Sequence, residues 1–195
     1  MATDPLDTAA ARFRTLESYR VTLRTVDAAG ERMVIRYAWR RPGWIRMDFV
    51  DPHGGTVMIH DPHARRVRLL PFGPDHLPAL SLSPDNRLIR SPRGHRVDHS
   101  DVGTLLANLA ELLAHGSASV PADTKVAGRP ATVIEIGAVA GVSVAGVHRY
   151  RVWFAQDTRF PLKVQSFDEN GGLIEIVDMS DAELDVVFPE RFFTP

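Results

Sequence analysis

Residues 147–181, VHRYRVWFAQDTRFPLKVQSFDENGGLIEIVDMSD, decide how the rest of the chain is read. His148, Tyr150, Val152 and Phe154 share one parity; Arg149, Arg151 and Trp153 share the other. Side chains two apart on a strand lie on one face, so this run predicts a strand with one mostly apolar and one largely cationic face. Residues 156–160 form a polar turn, and Pro161 opens a second strand, LKVQSF. Asp168-Glu169-Asn170-Gly171-Gly172 predicts a hairpin, because Asn and Gly tolerate positive φ. LIEIVDM then alternates again. The stretch therefore reads as three consecutive antiparallel strands, with no nucleophile, metal cluster or phosphate loop inside it.

Composition bounds the chemistry. The 195 residues suffice for one good core or at most two small ones. The apolar share of 44% and the charged share of 24% are those of an ordinary soluble globular protein. A net charge of −1 argues against a nucleic-acid binder, which carries a basic field. Only Lys125 and Lys163 are lysines among 23 basic residues. That bias reads first as genomic base composition, and second as bidentate anion recognition by Arg. The absence of cysteine excludes disulfides, thiolate catalysis and Cys-based metal sites. No run reaches the roughly 20 apolar residues of a membrane helix. MATDPLDTAAARF lacks the basic start and apolar core of an export signal, so the chain is expected to be cytoplasmic, or mature with its signal removed.

Residues 5–18 predict an amphipathic helix, with Asp4 as N-cap, Pro5 in the first turn, and Leu6, Ala9, Ala10, Phe13 and Leu16 on one stripe. A strand at 19–23 follows. Met33, Ile35, Tyr37 and Trp39 then line one face of a long strand, with Arg36 and Arg40 on the other. Arg41-Pro42-Gly43 turns the chain. On the return strand Ile45, Met47 and Phe49 face one way, and Trp44, Arg46 and Asp48 the other. Short Pro/Gly/Asp turns at 51–55 and 61–63 imply neighbouring antiparallel strands up to Leu70. Residues 71–99 hold Pro71, Pro74, Pro78, Pro84 and Pro92, and read as a functional loop or flap rather than a linker, with room for short helical turns. Residues 100–115 are the clearest helix: Ser100 or Asp101 caps it, Gly116 ends it, and Val102, Leu105, Leu106, Leu109, Leu112 and Leu113 form its stripe. Its other face is small and neutral, so it should be covered on more than one side. Strands at 124–127 and 131–136 lead through a Gly/Ala/Val-rich segment into the opening meander. Residues 184–189 read as a last strand, and Phe192-Phe193 as an apolar tail.

Three phrases in this order resemble the LolA/LolB-like superfamily of periplasmic lipoprotein carriers. They are YAWRRPGWIRMDFVDPHGGTVMIHDPHARRVRLLP, KVAGRPATVIEI, and RYRVWFAQDTRFPLKVQSFDENGGLIEIVDMSD followed by PERFF. RSPRGHRVDHSDVGTLLANLAELL is similar to an uncharacterised-domain branch of that superfamily rather than to the carrier proper. The resemblance covers most of residues 5–193. It implies an α+β fold: an open antiparallel half-barrel of about ten strands wrapped around covering or plug helices, in a single domain over 1–195 with a Pro-rich insertion at about 71–99. It also implies an apolar cavity for acyl chains. The carriers' arginine in the "RPG…R" phrase corresponds to Arg46, where the resemblance implies a tether for a helical lid. The prolyl loop and the lack of an acylatable cysteine are departures, so the carriers' cargo and partner do not transfer with the fold.

By alternation and stripe, Ile35, Trp39, Met47, Phe49, Leu105, Leu106, Leu109, Val152 and Phe154 are the candidate ligand-lining residues. Each buried methylene of an acyl chain yields about 0.8 kcal/mol, so such a lining can hold a lipid; the competing reading is a filled core. His60 with His63, and His95 with His99, lack the fixed tetrahedral set that zinc needs, and exposed loop histidines are the simpler reading. Ser91, Ser100, His95, His99 and Asp98 cluster in sequence without a nucleophile elbow. Arg36, Arg40, Arg149 and Arg151 read as solvated outer faces, or as docking points for anionic headgroups or an acidic partner. The expectation is a non-enzymatic carrier or chaperone of the periplasm or envelope, needing no metal or cofactor, that holds lipid or lipoprotein acyl chains under a lid tethered by Arg46. The rival is a module of the same fold that senses a lipid or a membrane-associated protein partner.

Overall fold

The computed structural model describes residues 5–91 and 94–194. Asp4, read as a helix cap, and Pro92 of the prolyl segment lie outside them. The chain forms two compact units. One comprises Leu16–Leu23, Met33–Asp101 and the residues from Ala182 on; the other comprises the residues up to Thr15, Arg24–Arg32 and Val102–Asp181. Strand β1 (Ser18–Asp27) serves both, pairing its start with one and its end with the other.

In the first unit, β2 (Arg32–Arg40), β3 (Trp44–Asp51), β4 (Val57–Asp61), β5 (Arg66–Leu70) and β6 (Leu80–Leu82) form an antiparallel meander. Its register places Trp39 opposite Ile45, Ile45 opposite His60, and Tyr37 opposite Met47. The face anticipated from alternation is buried: Ile35, Tyr37, Trp39, Ile45 and Met47 are all nearly inaccessible. Tyr19 of β1 stacks on Tyr37 and Trp39 at centroid distances of 5.9 and 5.5 Å. The reverse face is covered as well. Ala38, Val57, Ile59 and Leu70 pack under Phe193, with Trp44, Phe188 and Phe192 around them. The expected last strand at 184–189 shrinks to β13 (Glu183–Leu184), which pairs with Tyr19 and Arg20. Asp185 turns out of the sheet at a φ of 54°, and Pro189 offers no N–H to a ladder, so the aromatic tail crosses the reverse face instead of extending an edge. The prolyl segment is not structureless: besides β6 it holds two short 3₁₀ turns, Arg87–Ile89 and Val97–His99.

The second unit contains α1 (Pro5–Thr15), α2 (Val102–Ala114), β7 (Gly116–Ser119), β8 (Asp123–Val126), β9 (Arg129–Ala138), β10 (Arg149–Ala155), β11 (Pro161–Phe167) and β12 (Leu173–Asp178). α1 is shorter than its stripe suggested, because Ser18 already belongs to β1. The three strands read from residues 147–181 are β10, β11 and β12. Val152 lies between Ile134 and Val164, and Tyr150, Val152 and Phe154 are buried. α2 packs on β9 and β7 and buries Val102, Leu106, Leu109 and Leu112. Gly116 does more than end that helix. A Cβ there would sit 1.9 Å from the Gly137 carbonyl oxygen and 2.7 Å from the Ala138 Cα, so only glycine lets the chain pass from helix into β7 against β9.

Hydrogen bonding links the strands in the order β6-β5-β4-β3-β2-β1-β12-β11-β10-β9-β7, with β13 beside β1 and β8 beside β9. The path is open, and the fold class is the expected α+β with an open antiparallel sheet. Among the described residues it has thirteen strands rather than about ten. β6, β7 and β13 are two to four residues long, too short for a period of two to register.

Candidate functional site

The β2–β6 unit carries an open cleft of about 650 Å³. Trp39, Ile45 and His60 form its floor, being neighbours across β2, β3 and β4. Pro42, Pro62 and Pro84 stand at its sides. Its charged lining comes from Arg65, Asp85, Arg96, Asp98 and Asp101. His60 is 7% exposed, and its Nδ1 lies 2.9 Å from the Gly43 carbonyl oxygen. A carbonyl can only accept, so Nδ1 carries the proton and Nε2 is an acceptor in the neutral ring. Arg96 donates from Nε and Nη2 to the two oxygens of Asp98, at 2.9 and 2.8 Å. Burial alone would raise the Asp98 carboxyl; hydrogen bonds from Arg96, with the nearby His99 and His60, outweigh it and hold the group below the usual carboxylate range.

Behind the cleft, burial first and the Asp101 charge second push the Tyr37 hydroxyl far up. It lies 3.1 Å from Ser100 Oγ, which itself donates to the Val97 carbonyl at 2.6 Å. Ser100 has one proton, so Tyr37 is the donor in the first bond. The chain Tyr37–Ser100–Val97 pins the cleft's Asp98 segment to the sheet. The same bonds use up Ser100. Ser91 Oγ accepts the His95 backbone N–H at 2.9 Å, and Asp98 is clamped to Arg96. The residues that cluster in sequence thus serve turns and ion pairs. His63 stacks edge-on with Trp44 at 6.0 Å, whereas His60 is buried on the cleft floor.

Arg46 fastens the tail. It donates Nε and Nη2 to Asp48, both at 2.8 Å, and Nη1 to the Phe192 carbonyl at 2.8 Å. Its guanidinium lies 4.7 Å from the Phe192 ring centroid. Those are its hydrogen-bond partners among the described residues. Arg40, read as a solvated residue, is half-buried over Phe193 at 4.8 Å. Arg149 and Arg151 are likewise engaged: both clamp Glu135 of β9, at 3.0 and 2.8 Å, and Arg149 covers Phe167 at 3.9 Å. Arg36 alone of the four falls among the exposed residues. These contacts engage the three guanidiniums without burying those of Arg149 and Arg151, whose side chains stay 29% and 40% exposed: a guanidinium stacks on rings and pairs with carboxylates at little desolvation cost.

The nine candidate lining residues fall in two groups. Ile35, Trp39, Met47 and the half-buried Phe49 share one face of β2 and β3. The half-buried Leu105 and the buried Leu106 and Leu109 lie on α2, and Val152 and Phe154 on β10, all in the other unit. Sequence reasoning set His60 aside as an exposed loop histidine, Asp98 as part of a serine–histidine cluster and Phe193 as an apolar tail, and placed none of them where the structure does. His60 follows the alternation of β4, but only the register with Ile45 shows what it faces. The tail carries no periodic signal at all.

A family model, described as the MucB/RseB N-terminal domain, matches residues 82–195, more than half of the chain. No curated protein matches it. Among solved structures, the Pseudomonas aeruginosa MucA/MucB complex is 18% identical, over 98% of this chain and 60% of that one, with a TM-score of 0.60. A crystal structure of MucB is 16% identical over 100% of this chain and 62% of that one, with a TM-score of 0.63. The Mycobacterium tuberculosis lipoprotein LppX is 11% identical over 94% of this chain and 95% of that one, with a TM-score of 0.55. The chain therefore spans less than two thirds of the MucB chains it matches.

Proposed function

The chain belongs to the MucB/RseB N-terminal domain family, and from that premise we propose that it is a non-catalytic binding module of the cell envelope that recognises a protein partner through the cleft of its β2–β6 unit. The observation that carries this reading is the cleft's make-up: an aromatic and aliphatic floor, prolyl sides and charged groups around them. An acyl chain offers nothing to the charged lining of Arg65, Asp85, Arg96 and Asp98, and displacing the water around those groups without replacing its hydrogen bonds costs free energy. A polypeptide offers both backbone polar groups and side-chain charges. MucB has been solved in complex with MucA, which supports partner recognition as a use of this fold. At 18% identity the partner itself does not carry over.

A second reading, carriage of lipid or lipoprotein acyl chains, is favoured by the unbroken apolar face of Ile35, Trp39, Met47 and Phe49. In that reading Arg46 acts as the tether whose release frees the ligand. The two readings separate by experiment. A photo-crosslinking side chain is placed at Asp85, on the cleft, and at Val187, which is 94% exposed in the tail. A discrete protein adduct at Asp85 and none at Val187 supports the module. The same adducts at both positions contradict it. Co-purification of a stoichiometric acyl lipid supports the carrier.

A further inference from the structure

We propose that the unit of β7–β12 carries a binding site for an uncharged sugar, where β7, β9 and β10 meet the hairpin between β11 and β12. A pocket of about 350 Å³ opens there, within the range of about 300–1,000 Å³ usual for small-ligand sites. Its floor is Gly137. The register sets Ser117 of β7 and Arg149 of β10 directly on either side of that glycine, so a row of side chains is interrupted at its centre. The fold does not require glycine at this position. Its φ lies outside the left-handed region, and an added Cβ would meet only the Arg149 side chain, at 3.6 Å. A glycine inside a strand weakens it, and marks a place where another group approaches closely.

Around this floor each charged or imidazole side chain is fixed by its own contacts and keeps a further donor or acceptor. Arg149 spends Nη1 on Glu135 and lies over the Phe167 ring, which leaves Nε and Nη2 as donors. His148 spends Nδ1–H on the Val142 carbonyl at 2.8 Å, so Nε2 is an acceptor in the neutral ring. One oxygen of Glu169 accepts the Gly141 N–H, and one oxygen of Asp168 accepts the N–H groups of Asn170 and Gly172. The second oxygen of each has no partner among the described residues, nor do the hydroxyls of Ser117 and Ser119. Charge selects neither kind of ion. Glu135 is neutralised by Arg149 and Arg151, and the hairpin carboxylates already serve backbone N–H groups. An anion would still meet those carboxylates, and a cation the Arg149 guanidinium. The spare groups are donors and acceptors side by side. A sugar hydroxyl is both at once, and a rigid ring presents several of them with little conformational freedom to lose. The C–H face of the ring has Gly137, Ala138 and the methylenes of Arg149 to lie on. The site is separate from the β2–β6 cleft, and the inference stands whether or not that cleft binds a protein.

The test is a ¹H–¹⁵N NMR titration of the intact chain with the methyl glycosides of glucose, mannose and galactose, and with maltotriose. The controls are 1,4-butanediol, a flexible diol, and putrescine, a cation. The expected result is saturable shifts at Gly137, Ala138 and Gly171 with at least one of the sugars, and none with either control. Gly137→Val fills the floor and should abolish those shifts. Ser117→Ala, at an exposed position, should weaken binding about tenfold, or about 1.4 kcal/mol. Tighter binding of maltotriose than of the methyl glycosides assigns the site to a glycan chain; equal or weaker binding assigns it to a single sugar residue. No shifts with any sugar in the millimolar range, equal shifts with the diol or with putrescine, or binding unchanged in Ser117→Ala and in a folded Gly137→Val variant overturns the inference.

Discussion

Two sets of arginines with the same chemistry do different jobs in the two units. Arg149 and Arg151 reach from β10 to Glu135 on the adjacent β9, and so reinforce a ladder that backbone pairing already makes. Arg46 instead holds a segment with almost no ladder of its own. Its bonds to Asp48 fix the guanidinium, and its third donor ends on the Phe192 carbonyl. The β7–β12 unit is thus held by regular pairing with ion pairs added, whereas one face of the β2–β6 unit depends on an irregular tail. Cross-strand ion pairs at a half-exposed surface add only about 0.2–1 kcal/mol each. A tail anchor that covers apolar surface carries the burial of that surface as well.

The largest effect expected from this contrast is at Phe193, 2% exposed over Ala38, Val57, Ile59 and Leu70. Phe193→Ala should cost about 4 kcal/mol, by the transfer and cavity terms of a core aromatic. Urea unfolding measures it, and a loss below about 1 kcal/mol would mean that the tail does not seal that face. Gly116→Ala attacks the other unit where regular pairing itself is tight. The added Cβ meets backbone on β9, so a loss of about 3 kcal/mol is expected, with broadened amide signals in β7 and β9. A neutral result would show that the α2–β7 junction can shift.

Arg46→Met comes next. It removes the tail's hydrogen bond and strands the half-buried Asp48 carboxylate, for a loss of about 2 kcal/mol. Hydrogen exchange should accelerate at the tail amides Phe192 and Thr194 while β10–β11 amides keep their protection; uniform acceleration would contradict the local role. Glu135→Gln should cost the least, about 1 kcal/mol at neutral pH. Burial alone would raise the Glu135 carboxyl, but Arg151 and Arg149 hold it below its usual 4.5. A depressed folded-state value means that this stabilisation is present above pH 4.5 and lost as pH falls through the lower folded value. The wild type should therefore lose more stability than Glu135→Gln on acidification below that point. Parallel pH curves would remove Glu135 from the acid-sensitive set.

The same contrast explains how much was legible in the sequence. Residues 147–181 announce β10–β12 because both the alternation and the Asp-Glu-Asn-Gly-Gly hairpin signal are local. Ile35, Trp39 and Met47 were readable for that reason, as was the α2 stripe through Leu106 and Leu109. The tail was not: one packed face decides the fate of Phe188, Phe192 and Phe193, and nothing within six residues of sequence says that Ala38, Val57 and Ile59 lie beneath them. The cleft was invisible on the same ground. His60, Gly43 and Asp98 are brought together by register and by the Tyr37–Ser100 bond, neither of which has a period.

Recognition of a protein partner through this cleft is tested by native mass spectrometry of the protein recovered from its own cells, alongside an Asp85→Arg variant. A discrete protein complex is expected for the wild type, lost in the folded variant, with no stoichiometric lipid. A one-to-one acyl lipid in both proteins, with no protein complex in either, would contradict it and leave acyl-chain carriage as the function.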